Sequence, residues 1–483
     1  MPLVALALVL CGARPAHASP GAGDDSVATP VPARAVVAPA ADSVAVPVPG
    51  RAPAVPPRDS LTPLVPVRSS AALPADSLAV RFEVGASADG SNELFYEQSY
   101  TDTTFLGRRL HGTPESRGAG VAAMELTGAR GSGRWQYTLR PELTLGDAVT
   151  RAVATGTLRF RPDPRWRLAF EPRAEYSRDL SFDLDRRELV LASTASALRR
   201  FSDDVLDLRL GGELLQTPAS RDPFLLAHRV GRGVLDWDHD GILGLGWDLR
   251  YEADVRTFPD STLRDHQEHQ VELSARRDFS GGHALTMLAG LTRRSTLYSA
   301  PGTRDRFTEA RAEVRGTWRF DESYSCVAGV EGDGYRYDDP DSLVDFDYTI
   351  VRAEAHVRRD FAGRAWLSAG PRLEWLAAPW NPSERYREFA AAVEFEFLGT
   401  GRWWLLGPAI GRRGYEVSES GQSTDPNAIH STYLFAELQV LGDQSLPGRL
   451  RARITANVRL EKHDDPSQDA RSLYFSLDLR RLF

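Results

Sequence analysis

The chain has 483 residues, 42% of them hydrophobic and 26% charged, with a formal net charge of −8. That mild acidity excludes a basic nucleic-acid-binding surface, and no run of 18 apolar residues exists to form a transmembrane helix. A wall of strands is not excluded, because only alternate residues of such a wall meet lipid, and the negative mean hydropathy is no argument against one.

At the N-terminus, Leu3 to Ala13 form one short apolar block, and Ala16-His17-Ala18 puts small residues at the two positions that a signal peptidase reads. Residues 1–18 are expected to be a secretion signal, although no Lys or Arg follows Met1. Cys11 lies inside the apolar block, and Leu10 before it is too large for a lipid-attachment motif. Past the signal only Cys326 remains, so no intramolecular disulfide is available in an oxidising compartment. Lys462 is the only lysine among the basic residues, which reads as the codon bias of a GC-rich genome.

From 19 to 77 the composition turns to Pro, Ala, Val and Ser, and Asp-Ser-Val or Asp-Ser-Leu recurs at Asp25, Asp42, Asp59 and Asp76, a spacing of 17. Pro32, Pro49 and Pro66 keep that register, as do Arg34, Arg51 and Arg68. Proline at this density removes backbone donors and favours an extended chain, so the segment reads as a semi-stiff, disordered periplasmic linker that reaches roughly 180 Å when extended. The sharper alternative is a strap for peptidoglycan, for a periplasmic partner or for the mouth of the following domain.

The domain at 78–483 is punctuated by rings at a stride of about 40 residues: Phe160, Phe201, Trp237, Phe279, Phe320, Phe361, Phe397 and finally Phe483. Only the stop at Leu441 lacks a ring. Several stops share one phrase, Arg199-Arg200-Phe201, Arg276-Arg277-Asp278-Phe279, Arg358-Arg359-Asp360-Phe361 and Arg480-Arg481-Leu482-Phe483. Each interval holds two alternating segments, so the repeating unit is a hairpin, and the rings form a girdle at the periplasmic membrane interface.

About twenty segments can be marked, in a range of 16–20. Their connections sort by parity, with long odd ones such as 88–117 and 417–429 and short even ones such as 321–323 and 399–402. The exceptions are a short odd one at 146–148 and a long even one at 441–448. The even turns carry Pro162-Asp163-Pro164, Asp238-His239-Asp240-Gly241, Gly281-Gly282 and Gly399-Thr400-Gly401, residue types that tolerate turn dihedrals. Within segments the period is two: Leu245, Trp247, Leu249, Tyr251, Ala253 and Val255 take one face, Asp248, Arg250, Glu252, Asp254 and Arg256 the other. The fold class is therefore all-β, a closed antiparallel transmembrane β-barrel preceded by a disordered tether, with long connections outside the cell. A secreted soluble β-protein would alternate too, but would rarely carry charge this densely on one face.

In the last segment Leu473, Phe475, Leu477, Leu479 and Phe483 share one face and end in a C-terminal Phe. This resembles the terminal signal that the outer-membrane assembly machinery reads in Gram-negative barrel proteins, with Arg481 standing where an aromatic or apolar residue is usual. The resemblance implies a cell outer membrane location with the linker in the periplasm, contact with outer-membrane lipid and lipopolysaccharide, and porin-like architecture of no particular family.

Twenty tilted strands close a circle roughly 40 Å across, too wide for side chains to fill. An inward ladder of Arg209, Glu213, Arg250, Glu252, Arg311, Glu313, Arg352, Glu354, Arg372, Glu374, Glu394, Glu396, Arg451 and Arg453 implies water inside, because unpaired buried charge is very costly. The leading expectation is a channel for passive or weakly selective diffusion of small hydrophilic solutes, with opposed charged rows setting preference. The alternative is a non-conducting surface or scaffold protein that binds partners through its outer loops and linker, its charges paired to stiffen the wall. The loop 88–117, with Phe95, Tyr96, Tyr100 and Phe105, is read as either an inward constriction or a surface binding loop.

No catalytic residue, cofactor or metal is expected. No motif marks a Ser-His pair, strand spacing puts His266 and His269 on opposite faces, and Asp238-His239-Asp240-Gly241 reads as a periplasmic turn. The acidic run Asp338, Asp339, Asp341, Asp345 and Asp347 reads as a solvated outer surface, or as a site for divalent ions that bridge lipopolysaccharide.

Overall fold

The computed structural model describes residues 77–483, except 102–103, 132, 148, 181–184, 218–225, 243–244, 298–305, 339–346, 380–381 and 418–429. The signal segment and the 17-residue repeats lie outside the described residues. The strands begin with Ser77–Thr101 (β1), Thr104–Arg130 (β2), Trp135–Gly146 (β3), Val149–Phe160 (β4), Trp166–Asp179 (β5), Arg186–Arg200 (β6) and Asp204–Gln216 (β7). Next come His228–Ile242 (β8), Leu245–Thr257 (β9), His266–Asp278 (β10), Ala284–Thr296 (β11), Phe307–Arg319 (β12), Tyr324–Tyr337 (β13) and Tyr348–Phe361 (β14). The wall ends with Ala365–Ala377 (β15), Tyr386–Gly399 (β16), Arg402–Tyr415 (β17), Tyr433–Leu446 (β18), Leu450–His463 (β19) and Ala470–Leu482 (β20).

Each strand pairs antiparallel with its sequence neighbours, and β1 pairs with β20 from Glu83↔Leu482 to Phe95↔Ala470, so the 20-stranded sheet closes on itself. Closure satisfies the amides that lipid cannot, and an even count lets the first and last strands meet antiparallel. The only other elements among the described residues are short 3-10 turns, Thr262–Arg264, Pro382–Glu384 and Pro466–Gln468 at one rim and Pro447–Arg449 at the other. The sequence expectation of a closed barrel at the top of the 16–20 range holds.

Reach decides which face looks inward. On a concave face side chains converge, so strands that are not neighbours can touch. Arg140 of β3 meets Glu83 of β1 at 3.4 Å, Arg315 of β12 meets Glu354 of β14 at 2.9 Å, and Arg480 of β20 meets Glu142 of β3 at 3.5 Å. The charged parity is therefore the inner one. The outer parity leaves large apolar side chains bare, with Leu210 58%, Phe389 57% and Ile410 65% exposed, an inversion that only an apolar solvent stabilises. The chain is thus a closed transmembrane β-barrel, apolar outside and charged inside.

The expected girdle lies at one rim, because Phe160, Phe201, Trp237, Phe279, Phe320, Phe361, Phe397 and Phe483 all stand at or near the ends of even-numbered strands, which run the same way. The missing ring at the β18 stop is supplied from next door. Trp404 of β17 lies over its register partner Gly442, where an added Cβ would come within 2.6 Å of the indole.

Three sequence expectations are corrected. Segment 88–117 is no loop: β1 and β2 continue as one hairpin up to Thr101↔Thr104, so neither an inward constriction nor a free binding loop forms there. The long even connection 441–448 is mostly strand, and the turn is Pro447–Arg449, with Gly448 at φ 75° and Arg449 at φ 61°. Asp238 to Gly241 lie at the end of β8 rather than in a turn, with an irregular register between His239 and Ile242.

Candidate functional site

Alternation and skip-strand contact place the predicted ladder on the inner wall, but not as opposed rows of one sign. Arg209 bridges Asp207 and Asp236 at 3.0 and 2.9 Å, while Glu213 faces His228 at 3.5 Å. Arg250 pairs with Glu252 at 2.7 Å, and Arg311 with Glu331 at 3.0 Å and Glu313 at 3.6 Å. Glu354 takes Arg315, Arg352 takes Glu374 at 2.8 Å, and Arg372 reaches Glu388 at 3.3 Å. Glu394 and Glu396 share the inner face of β16, where Trp403 donates to Glu396 at 2.7 Å. Arg451 and Arg453 both turn to Asp443, at 2.5 and 3.1 Å. Apart from those of the buried Glu374 and Glu388, such partly exposed pairs contribute about 0 to 1 kcal/mol each. Their consequence is geometric: the inner wall is a mosaic of both signs, without the transverse field that opposed rows would set up.

One region of that wall is thicker than the rest. On β15–β19, near the rim opposite the girdle, Arg413 is buried between Tyr386, whose ring centroid is 4.0 Å from the guanidinium, and Tyr433 at 5.9 Å. It donates to Glu388 at 2.9 and 2.6 Å and reaches Glu374 at 3.3 Å, while the Tyr386 hydroxyl donates to Glu374 at 2.6 Å. Beside it Arg459 lies 4.7 Å over Phe435 and holds Glu437 at 3.1 Å, Glu461 at 2.6 Å and the Tyr433 hydroxyl at 3.2 Å. Glu388 is only 3% exposed and Phe435 2%, so carboxylates are dehydrated here and must be paired to stay charged. The patch is thus a dry, internally satisfied thickening of the wall, its guanidinium donors already spent on Glu388, Glu374 and Glu461.

The sequence reading missed Arg413, Glu388, Glu437 and Glu461, and put Arg459 on the charged face of its segment without a partner. All keep the inner parity of their strands, and that was their only signal, because their convergence depends on register between strands.

A second constellation has the composition of an acyl-transfer site. Ser431 Oγ lies 2.9 Å from His463 Nδ1, and His463 Nε2 lies 3.5 Å from Glu461. Ser431 is 0% exposed and its amide donates to Gln468, so no substrate carbonyl reaches the hydroxyl in this arrangement. It acts as a clasp between the start of β18 and the end of β19.

His266 and His269 do face opposite ways, toward the Arg264 carbonyl at 2.8 Å and the Tyr251 hydroxyl at 2.8 Å. Of the acidic outer run, Asp338 is held by Arg293 at 2.7 Å and Asp347 by the Tyr337 amide at 2.8 Å. Asp339, Asp341 and Asp345 lie outside the described residues. The Arg293 hydrogen bond keeps the Asp338 carboxyl below the usual carboxylate range, and Arg187 and Arg178 do the same for Asp185.

No family model matches the chain, and no curated protein matches it. Among solved structures it is similar to the siderophore receptor PirA from Pseudomonas aeruginosa, at 12% identity and a TM-score of 0.47, over 84% of this chain and 80% of that one. It is also similar to Pseudomonas aeruginosa OprD, at 9% identity and a TM-score of 0.40, over 84% and 95%. A third likeness is to Pseudomonas aeruginosa OccK2 (OpdF) in complex with glucuronate, at 12% identity and a TM-score of 0.40, over 83% and 98%. The architecture rests on the strand pairing of this chain, not on those likenesses.

Proposed function

We propose that this protein resides in the cell outer membrane, with its N-terminal linker in the periplasm, and passes small hydrophilic solutes by passive or weakly selective diffusion through a water-filled bore. The supporting observation is a wall of 20 strands with charge on its inner face, closed around a lumen that no other described element enters. A circle of that many strands is roughly 40 Å wide, and barrels of 16 to 18 strands already leave an aqueous channel. Delivery to the membrane is assigned to the assembly machinery reading β20, in which Arg481 lies 4.9 Å over the terminal Phe483 ring and so packs as part of the aromatic end.

The second reading, a non-conducting surface or scaffold protein, draws on the density of ion pairs inside and on the projecting β1–β2 hairpin. Planar-bilayer recording of the refolded barrel separates the two. Stepwise insertions with steady conductance are expected, and the absence of ion current at any voltage would remove the channel.

A further inference from the structure

Charge on the outward face of the barrel follows a rule that the inner face does not. Among the described residues, the charged side chains on the outward parity of the strands are basic, save Asp204 at the girdle rim, and they stand near strand ends. A cation at mid-bilayer costs about 2 to 4 kcal/mol, and near the interfaces close to nothing. At the girdle rim Arg199, Arg277, Arg359 and Arg481 lie over rings. At the opposite, outer rim four are neutralised, Arg178 and Arg187 by Asp185, Arg293 by Asp338 and Arg336 by Asp347, while Arg229 stands alone on β8.

The arc β16–β20 departs from that pattern. Arg387, Arg412, Lys462 and Arg471 point outward within a few residues of the outer strand ends, and none makes an ion pair or hydrogen bond among the described residues. Register brings them together: Arg412 pairs with Leu434 and Leu434 with Lys462, while Arg387 and Arg471 are diagonal neighbours on the flanking strands. Just below lie Phe389, Ile410, Leu434 and Leu460, at 57%, 65%, 56% and 46% exposure among the barest apolar side chains of the wall. A cavity of about 870 Å³ opens at the same rim, lined in part by Trp375, Arg387 and Arg412.

We infer that this arc is a binding site for an outer-leaflet lipid with a phosphorylated, polyanionic headgroup of the lipopolysaccharide type. Its phosphates sit among the four cations and its acyl chains run down the apolar wall beneath. Guanidinium groups match phosphate oxygens in a bidentate fork, and four unneutralised cations beside bare apolar surface complement a lipid that carries both features. The inference rests on membrane residence as proposed above, not on conduction.

The test uses the full chain refolded in detergent, with purified lipopolysaccharide as the probe and native mass spectrometry as the readout. The control probe is the same glycolipid with its phosphates removed. A basic residue near an anionic surface contributes about a fivefold change in binding, so R387Q/R412Q/K462Q/R471Q is expected to lose roughly a hundredfold or more in affinity. The variant R293Q/R336Q, whose cations are already neutralised, is expected to bind as the parent does. Equal affinity in the quadruple variant, or equal binding of the phosphate-free glycolipid, overturns the inference. Heat-modifiable gel migration shows that each variant is a folded barrel. Bilayer conductance is read separately, so loss of the lipid site leaves the channel reading standing, and a silent barrel leaves the lipid site standing.

Discussion

Arg199, Arg277, Arg359 and Arg481 show what the repeated phrase at the aromatic stops is for. Each points outward and lies 4.7, 4.9, 5.0 and 4.9 Å from the ring two positions later, Phe201, Phe279, Phe361 and Phe483. Residues two apart share a face of a strand, so the first arginine outward of each ring caps it at the headgroup level. The adjacent arginine turns inward and pairs with an acid, as Arg276 does with Asp278, Arg358 with Asp360 and Arg480 with Asp478. The motif was legible as a motif, and its division of labour follows from strand parity. The Arg413 patch was not legible, because it joins residues of five strands whose mutual register no single segment encodes. Replacing Arg413 with Met removes the cation that Glu388 and Glu374 share but leaves them Arg372 and Arg352, and is expected to destabilise the folded barrel by roughly 1.5 to 3 kcal/mol in urea titrations followed by tryptophan emission. At the outer rim, Asp338 carries a pH signature. Its carboxyl is lowered by Arg293, so its stabilisation is complete above the unfolded value of about 3.9 and is lost as pH falls through its own lower value. The difference in thermal midpoint between the parent and Asp338→Asn should therefore be constant above about pH 5 and shrink below about pH 4.

Hairpins were the easiest elements to find and the hardest to delimit. Alternation marks a strand only where its two faces meet different solvents, as for β9, β12 and β19, whose apolar and charged residues take turns. The upper halves of β1 and β2 lack that constraint, and Gly112, Pro114 and Gly118 there read as a loop. What places these residues in strands is their backbone register, from Ala88↔Gly118 to Thr101↔Thr104. Pro114 sits above Ala119↔Gly146, the last pair that β2 makes with β3, and so belongs to a stretch paired on one side only, where proline is tolerated. In the same way Gly442, Asp443 and Gly448 suggested a long connection, whereas Arg451 and Arg453 hold Asp443 within the sheet. Partner strands do not support the hairpin above Phe95, where β20 ends its pairing. Deleting residues 96–109 and joining the ends by a short turn is expected to leave heat-modifiable migration and bilayer conductance unchanged.

The whole molecule depends on one junction that the chain order does not supply, between β1 and β20. Its backbone ladder ends with the Phe483 amide donating to the Phe82 carbonyl at 2.9 Å. Its inner side is held by Arg480, which reaches Glu83 at 3.3 Å and, across two further strands, Glu142 at 3.5 Å. A closing contact of such sequence separation forms late and carries a high loop-closure entropy. Arg480→Ala is expected to slow acquisition of the heat-modifiable form in a refolding time course several-fold more than Arg209→Ala, whose partners lie on its own strand and the next.

The β1–β2 hairpin is the longest strand pair in the wall. Its strands of 25 and 27 residues stand beside others of 12 to 15, so at ~3.3 Å per residue a two-stranded ribbon rises about 30 Å clear of its neighbours. In the orientation proposed above, that ribbon stands on the outer side of the membrane and would be the part of the barrel that an antibody or a bacteriophage meets first.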